Sequence, residues 1–497
     1  MNFISKIIAF FILALLLVAC PRPDPPAGIP PHLREIMEAN RAIALPPFPE
    51  DFREQADAYL TQGLTREEDI RISNERRRIR LPPSQHIRDA GSSAHLGRRI
   101  TREDAASDIN FLFDLMRYGY AGYRHFGGDD VFLPIRDSML DRLAGIQGEI
   151  TGQALLRDML VPGLAPVIAD NHFQLHDITL EAPPHSARIN EDFILRRAGD
   201  HFVTMIDNVE YRLIEATLGG QKVEGILPTL TREGEAAYAF GHFGQWTQLG
   251  TQPMYVALES AEAGEGLSLE VRLRAMSNID RSNVLLHQYE INGVPVVVNR
   301  TLMNPYVTDD AGRIFHRSGA SLRGSSVIVL DLRGHGGGVS DPMLFWMNGL
   351  SGSWPSGGAF GVFNLLSMTG GRGSGPRWTA DIAPFESALP NQSLVIALTD
   401  NNMGSGGDQI VGYLRELENV IFVGANTQGT LVTGGVARNA LPRSGIAVIF
   451  GVQLHLRPDF SQFEGVGFMP DLWVPPDQSL ERVLAFIERY GLLRGAQ

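Results

Sequence analysis

Between residues 325 and 424 the chain alternates two kinds of apolar run: SSVIVLDLRG, then DPMLFWMNGL, SLVIALTD, GDQIVGYLREL and VIFVG. The first, third and fifth read as strands and the other two as helices, and this alternation predicts an α/β core. An amphipathic helix, SLERVLAFIERYG, closes the chain, so the core is assigned to residues 286–497.

Upstream the pattern changes three times. Residues 1–20, MNFISKIIAFFILALLLVAC, carry one basic residue, Lys6, and an apolar run ending at Cys20, which is a signal-peptide pattern too short to stay as a membrane-spanning helix. Leu17-Val18-Ala19-Cys20 resembles a bacterial lipobox, and Cys20 is the chain's only cysteine, so an internal disulfide is excluded and lipidation of Cys20 is expected. The resulting expectation is an exported protein, lipid-anchored to a bacterial membrane on the periplasmic side or the cell surface. Residues 21–50 are rich in proline and read as an extended spacer. Residues 51–172 read as a small helical region, with an arginine-rich stretch at 50–98 and a helix opening at Thr101 as N-cap. Residues 173–285 hold β-rich runs such as HFVTMI and SLEVRL.

The formal charge of −13 argues against nucleic acid as a partner. Only two lysines occur, Lys6 and Lys222, so chemistry that needs a lysine has almost no candidate.

Two segments of the core suggest chemistry. The first is Asp331-Leu332-Arg333-Gly334-His335-Gly336-Gly337-Gly338, following the strand that ends at Leu330. Its glycines would leave amides uncovered for a phosphate or an oxyanion, but no Gly-Lys-Ser/Thr follows and Val339 stands where GxGxxG needs its third glycine. Arg333 reads as the ion-pair partner of Asp331. The second is Asn402-Met403-Gly404-Ser405-Gly406-Gly407-Asp408, between a strand and a helix. Ser405 either caps that helix or exposes its hydroxyl beside the Gly406 amide and the positive helix end.

Together these segments resemble the C-terminal-processing, or tail-specific, serine peptidase family, whose core shows an Asp-Leu-Arg-x-x-x-Gly-Gly loop and a nucleophilic serine with an acid three residues on. VIFVGANTQG and FEGVGFMPDLWV are similar to later family elements, and the resemblance covers residues 290–497. It implies a ClpP/crotonase-like α/β core and a serine-type peptidase with no cofactor, acting on peptide or protein substrates. In one branch a lysine follows the Thr-x-Gly element, where this chain has Thr430, so a serine–lysine dyad is not expected. The other branch, similar to the Tricorn core, uses serine, histidine and glutamate. Asp170-Asn171-His172-Phe173 is similar to that branch's Asp-Gly-His-Thr, which makes His172 the expected base, with His335 as its rival. Glu464 matches the family position for the acid that orients the histidine, and the amides of Gly406 and Gly337 are the expected oxyanion donors.

A metal site at His172 and His176 is disfavoured because FQLHDITL alternates like a strand, in which four residues span about 13 Å. The chain departs from the family in having Gly406 and Gly407 where alanine or serine is commoner, and Asn171 before the base. No convincing PDZ-like peptide-binding module is visible, only a weak candidate at Tyr211–Leu227. Two alternatives stay open: a catalytically silent binding protein on the same fold, and an esterase-type serine hydrolase. Substrate preference and oligomeric state are not legible.

Overall fold

The computed structural model describes residues 96–182, 184–246, 252–303, 306–355, 389–455 and 463–493, with short pieces at 31, 33–35, 74–75, 360–362 and 377–378. The signal segment, Cys20, most of the proline-rich spacer and most of the arginine-rich stretch lie outside the described residues; the described pieces of the spacer, residues 31 and 33–35, are helical rather than extended, with Leu33 buried in the core.

Helix α1 (Arg102–Gly119) starts where Thr101 accepts a hydrogen bond from the Asp104 amide at 3.1 Å, with Glu103 and Asp104 in its first turn. Helix α2 (Gly128–Ala144) packs beside it, and further helical turns run from Gly152 to Leu164. The segment expected as one strand, FQLHDITL, is instead a hairpin of β1 (Gln174–Leu175) and β2 (Ile178–Thr179), because His176 turns the chain at φ 60°.

The middle of the chain is a nine-stranded sheet whose pairings are all antiparallel. Its principal strands are β3 (His185–Ala198), β4 (His201–Ile206), β5 (Val209–Leu218), β6 (Ile226–Leu230), β7 (Ala236–Gln245), β8 (Met254–Ser260) and β9 (Gly266–Val271). Tyr211–Leu227, the weak PDZ-like candidate, contributes strands to this sheet, and no helix occurs among the described residues of 185–285.

The core sheet holds β10 (His287–Ile291), β11 (Val294–Val298), β12 (Val327–Asp331), β13 (Leu394–Thr399), β14 (Val420–Gly424) and, paired directly with β14, the short edge strand Leu472–Trp473. All its neighbours from β11 onward are parallel, and every residue of β12, β13 and β14 is buried, as expected of strands covered on both faces. Period-two alternation decides which side chains meet which helices. Ile328, Leu330, Val395, Ala397 and Phe422 face α3 (Ala311–Ser321), α4 (Asp341–Ser351) and α5 (Gly406–Leu414) through Phe315, Trp346, Met347 and Ile410. Val327, Val329, Ile396 and Val423 face the closing helix α6 (Ser479–Arg489) through Val483, Phe486 and Ile487, each burial worth about 1.5–3 kcal/mol. Gly319 and Gly349 let α3 and α4 touch backbone to backbone: a Cβ on Gly319 would lie 2.1 Å from the Trp346 carbonyl oxygen.

A third sheet pairs β15 (Thr433–Ala440) with β16 (Ala447–His455), and β16 with β1. The helical region does not bury its apolar face by itself. Leu112, Phe113 and Met116 of α1 share one core with Phe173, Val448 and Phe450, so the N-terminal helices and the C-terminal strands form a single packed unit. That packing carries residues 170–173 to the end of the core sheet.

Candidate active site

Ser405 stands where β13 turns into α5. Its backbone adopts φ 56° and ψ −117°, a conformation that favours glycine, and the turn closes through the Gly407 amide to the Gly404 carbonyl at 2.9 Å. A non-glycine residue held there carries strain of about 1–3 kcal/mol. The serine hydroxyl makes no helix-capping bond. It lies 2.9 Å from Nε2 of His172, across 233 residues of sequence.

Asp408, the acid three residues on, holds the turn. Its buried carboxyl accepts from the amides of Gly429 and Thr430 at 3.0 and 2.8 Å, and the Ser405 amide and Thr427 also hydrogen-bond to it. Burial pushes this carboxyl up to about 6 against those donors. Thr430 thus ties its loop to the serine turn by its amide, while its hydroxyl, at the position where the dyad branch has lysine, is buried without a partner among the described residues.

The glycine loop is anchored by Asp331 at the end of β12. Burial opposes its charge, yet Arg333 and Arg300, both bidentate at 2.6–2.8 Å, hold the carboxyl below its ordinary value. The expected Asp331–Arg333 pair is therefore joined by Arg300, a partner outside the motif. Two further expectations change here. The Gly337 amide donates to Nδ1 of His335 at 3.1 Å. The Gly338 amide, 3.1 Å from where a Cβ on Gly406 would sit, donates to no hydrogen bond among the described residues, and neither does the Gly406 amide. The free pair of donors beside Ser405 is Gly406 and Gly338, not Gly406 and Gly337. The rival base, His335, is fully buried with its Nδ1 taken by that amide, and burial pulls its pKa down to about 3. It makes no bond to Ser405.

The glycines that replace the commoner alanine or serine have a steric cause. A Cβ on Gly406 would lie 2.3 Å from the Gly338 carbonyl oxygen, and one on Gly407 2.9 Å from the His335 carbonyl oxygen. The helix start is pressed against the glycine loop, and only glycine fits.

His172 is 7% exposed. Burial lowers its pKa, while the charge of Asp170 and the Thr433 backbone oppose that shift. Nδ1 is buried and has no hydrogen-bond partner among the described residues. Glu464 does not bond the imidazole. One of its oxygens accepts from the Asn171 amide at 2.8 Å, the other from Leu431 and Val432 at 2.6 and 2.7 Å. Burial first, and then the nearby Asp170, raise its pKa. Asn171 accounts for its own presence before the base: its side chain donates to the Gly429 carbonyl at 2.9 Å and accepts from Ala182 at 3.1 Å. The acid closest in sequence to the base, Asp170, accepts from the His172 amide at 2.9 Å, Tyr120 Oη at 2.8 Å and Thr433 Oγ1 at 2.9 Å. The sequence signal for Asp170 was its place in the Asp-Asn-His segment; nothing in the sequence signalled Tyr120.

Among the described residues, no group of three or more His, Cys, Asp or Glu is placed to hold a metal ion, and no helix is long and apolar enough to cross a membrane.

No family model matches the chain, and no curated protein matches it. Solved structures similar to it include mature CPAF complexed with lactacystin, at 14% identity and TM-score 0.36 over 78% of this chain and 97% of that one. A photosystem II C-terminal processing protease matches at 13% and 0.35 over 79% and 98%, and the tricorn protease at 15% and 0.33 over 79% and 37%.

Proposed function

We propose that this chain is a serine hydrolase that cleaves peptide bonds in peptide or protein substrates through an acyl-enzyme on Ser405. The observation that carries the reading is the 2.9 Å contact of Ser405 Oγ with His172 Nε2, made by a serine whose side chain caps nothing. Residues 233 positions apart meet at hydrogen-bond distance on a strained turn beside two free amides, which is what nucleophilic acyl transfer requires.

With the proton of the neutral imidazole on Nδ1, Nε2 presents its lone pair to the serine hydroxyl. As Ser405 Oγ bonds to the substrate carbonyl carbon, its proton passes to Nε2, and the carbonyl oxygen takes up negative charge facing the Gly406 and Gly338 amides. His172 then gives that proton to the departing amine as the C–N bond breaks. Water, deprotonated by the same nitrogen, attacks the ester carbon and releases Ser405.

The same reading places the protein in the cell envelope, exported by residues 1–20 and tethered through lipid on Cys20, with the proline-rich spacer between membrane and body. The sequence pattern supports this part. Labelling of membrane fractions with a radiolabelled fatty acid, lost in Cys20→Ala, tests it.

For the chemistry, a fluorophosphonate probe is expected to label the protein at Ser405, and Ser405→Ala and His172→Ala to abolish labelling. A folded wild type that stays unlabelled and cleaves no peptide would sink the reading.

A further inference from the structure

The segment that carries the base is gripped by two buried acids, and they grip different things. Glu464 spends both oxygens on three backbone amides, those of Asn171, Leu431 and Val432. Asp170 is fully buried and takes the His172 amide in a turn two residues long, with Tyr120 and Thr433 hydroxyls fixing the rest of its carboxylate. Thr433 therefore acts on the base twice, its backbone favouring the charged imidazole and its hydroxyl working by way of Asp170.

Tyr120 is itself locked. Its ring packs edge-on to Phe173 at 4.9 Å and tilted to Phe450 at 5.7 Å, and a Cβ on Gly122 would lie 2.4 Å from its hydroxyl. Burial, followed by the charge of Asp170, keeps its phenol protonated, so it is a permanent donor. The ionisable side chains near His172 among the described residues include Asp170, Glu464, Tyr120, His125 and His455. Of these, Asp170 is the charge that acts on the imidazole, while His455 is held neutral, its pKa pulled down to about 3 by burial.

We infer that Asp170, braced by Tyr120 and Thr433, is the positioning residue that stabilises the imidazolium of His172, and that Glu464 serves only to clamp the backbone on which the base is carried. The inference rests on reading Ser405 and His172 as nucleophile and base. It moves the acid role from the residue that sequence resemblance selects to one beside the base, and it makes the N-terminal helical region part of the active site through Tyr120.

The test is the titration of His172 in the full chain by NMR of ring-labelled histidine, assigned with His172→Ala. It needs no substrate and no turnover. Asp170→Asn removes a negative charge that favours protonation, so the His172 pKa is expected to fall by about one unit. The acid limb of Ser405 labelling then moves to lower pH, with a plateau reduced about tenfold or more. Tyr120→Phe and Thr433→Val leave that charge in place with one donor fewer, so each is expected to move the titration the opposite way, by a few tenths of a unit, about what one weakened hydrogen bond supplies. Glu464→Gln is expected to leave it in place. An unmoved titration in Asp170→Asn, or a shift in Glu464→Gln as large as that in Asp170→Asn, overturns the assignment. If Asp170→Asn does not fold, upward shifts in Tyr120→Phe and Thr433→Val support it and their absence refutes it. Failure of the peptidase reading looks different: wild type without labelling, whatever the titration shows.

Discussion

The nucleophile and the base come from regions built in opposite ways. Ser405 lies between β13 and α5, and much of what shapes it is local: the Gly404–Gly407 turn and the Asp408 carboxyl three residues on. His172 lies on a stretch with no regular structure, and the groups that fix it come from afar: Tyr120 and Thr433 acting through Asp170, Gly429 and Glu464 through Asn171, and β16 through the hairpin that follows. A strand-to-helix turn can be specified by a short motif, because its dihedrals and first hydrogen bonds are settled within a few residues. A base on irregular backbone has to be imported by the packing of the whole N-terminal region. The first half of the site is expected to be robust, and the second to fail when distant contacts are cut.

The severest test of this comparison is whether the two halves act as one. Ser405→Ala and His172→Ala should each lower kcat/KM for a peptide by about a millionfold, and the double variant should be no worse than either, as for groups that work as a unit. Multiplying losses would mean that the regions contribute separately, and the contrast would then be one of architecture alone.

Glu464→Ala strikes the imported half. Three buried amides lose their acceptor, a cost partly offset by removing an acid whose charged form burial already disfavours, so a net destabilisation of about 3 kcal/mol is expected in denaturant titration. Labelling of Ser405 should fall with it, because the base segment is freed. A variant as stable as wild type would show that the segment is held mainly by the shared core of α1, Phe173 and Phe450.

What was legible in the sequence follows the same division. The strands and helices from Val327 to Gly424 and the closing helix stand where apolar periodicity puts them, since their burial repeats along the chain. The meeting of Ser405 with His172 was reachable only through resemblance, because no local rule relates positions so far apart. The hairpin at His176 was missed because an alternating run looks the same whether or not one residue adopts positive φ. That the Gly337 amide is engaged by His335 was not legible, because the direction in which an amide points depends on the buried Nδ1 that captures it. Arg300 and Tyr120 carried no motif at all; both act only once tertiary packing delivers them.

His335 offers a smaller test on the local side. Its folded pKa, about 3, lies below the unfolded value near 6.5, so the unfolded chain binds a proton that the folded one refuses throughout that window. Stability from this group is complete above about pH 6.5 and is lost as pH falls towards 3, at about 1.4 kcal/mol per pH unit. His335→Asn keeps an acceptor for the Gly337 amide and should remove that slope, leaving the like contribution of His455 intact. An unchanged slope would mean that the glycine loop opens and admits water before His335 protonates.

The smallest expected effect separates strain from chemistry at Ser405. At φ 56° and ψ −117° a Cβ is held where L-residues are disfavoured, and alanine carries the same penalty as serine. Ser405→Gly should therefore exceed Ser405→Ala in unfolding free energy by about 1 kcal/mol, the left-handed penalty less the entropy glycine loses on ordering. Both variants lack the hydroxyl, so neither difference in hydrogen bonding nor loss of the His172 contact enters the comparison. Measured by denaturant midpoint at constant slope, a more stable glycine variant would show that the nucleophile is kept in a costly conformation by the turn around it. Equal stabilities would mean that the Gly404–Gly407 turn relaxes once the hydroxyl no longer meets the base, and that the local half of the site is held in shape by the imported one.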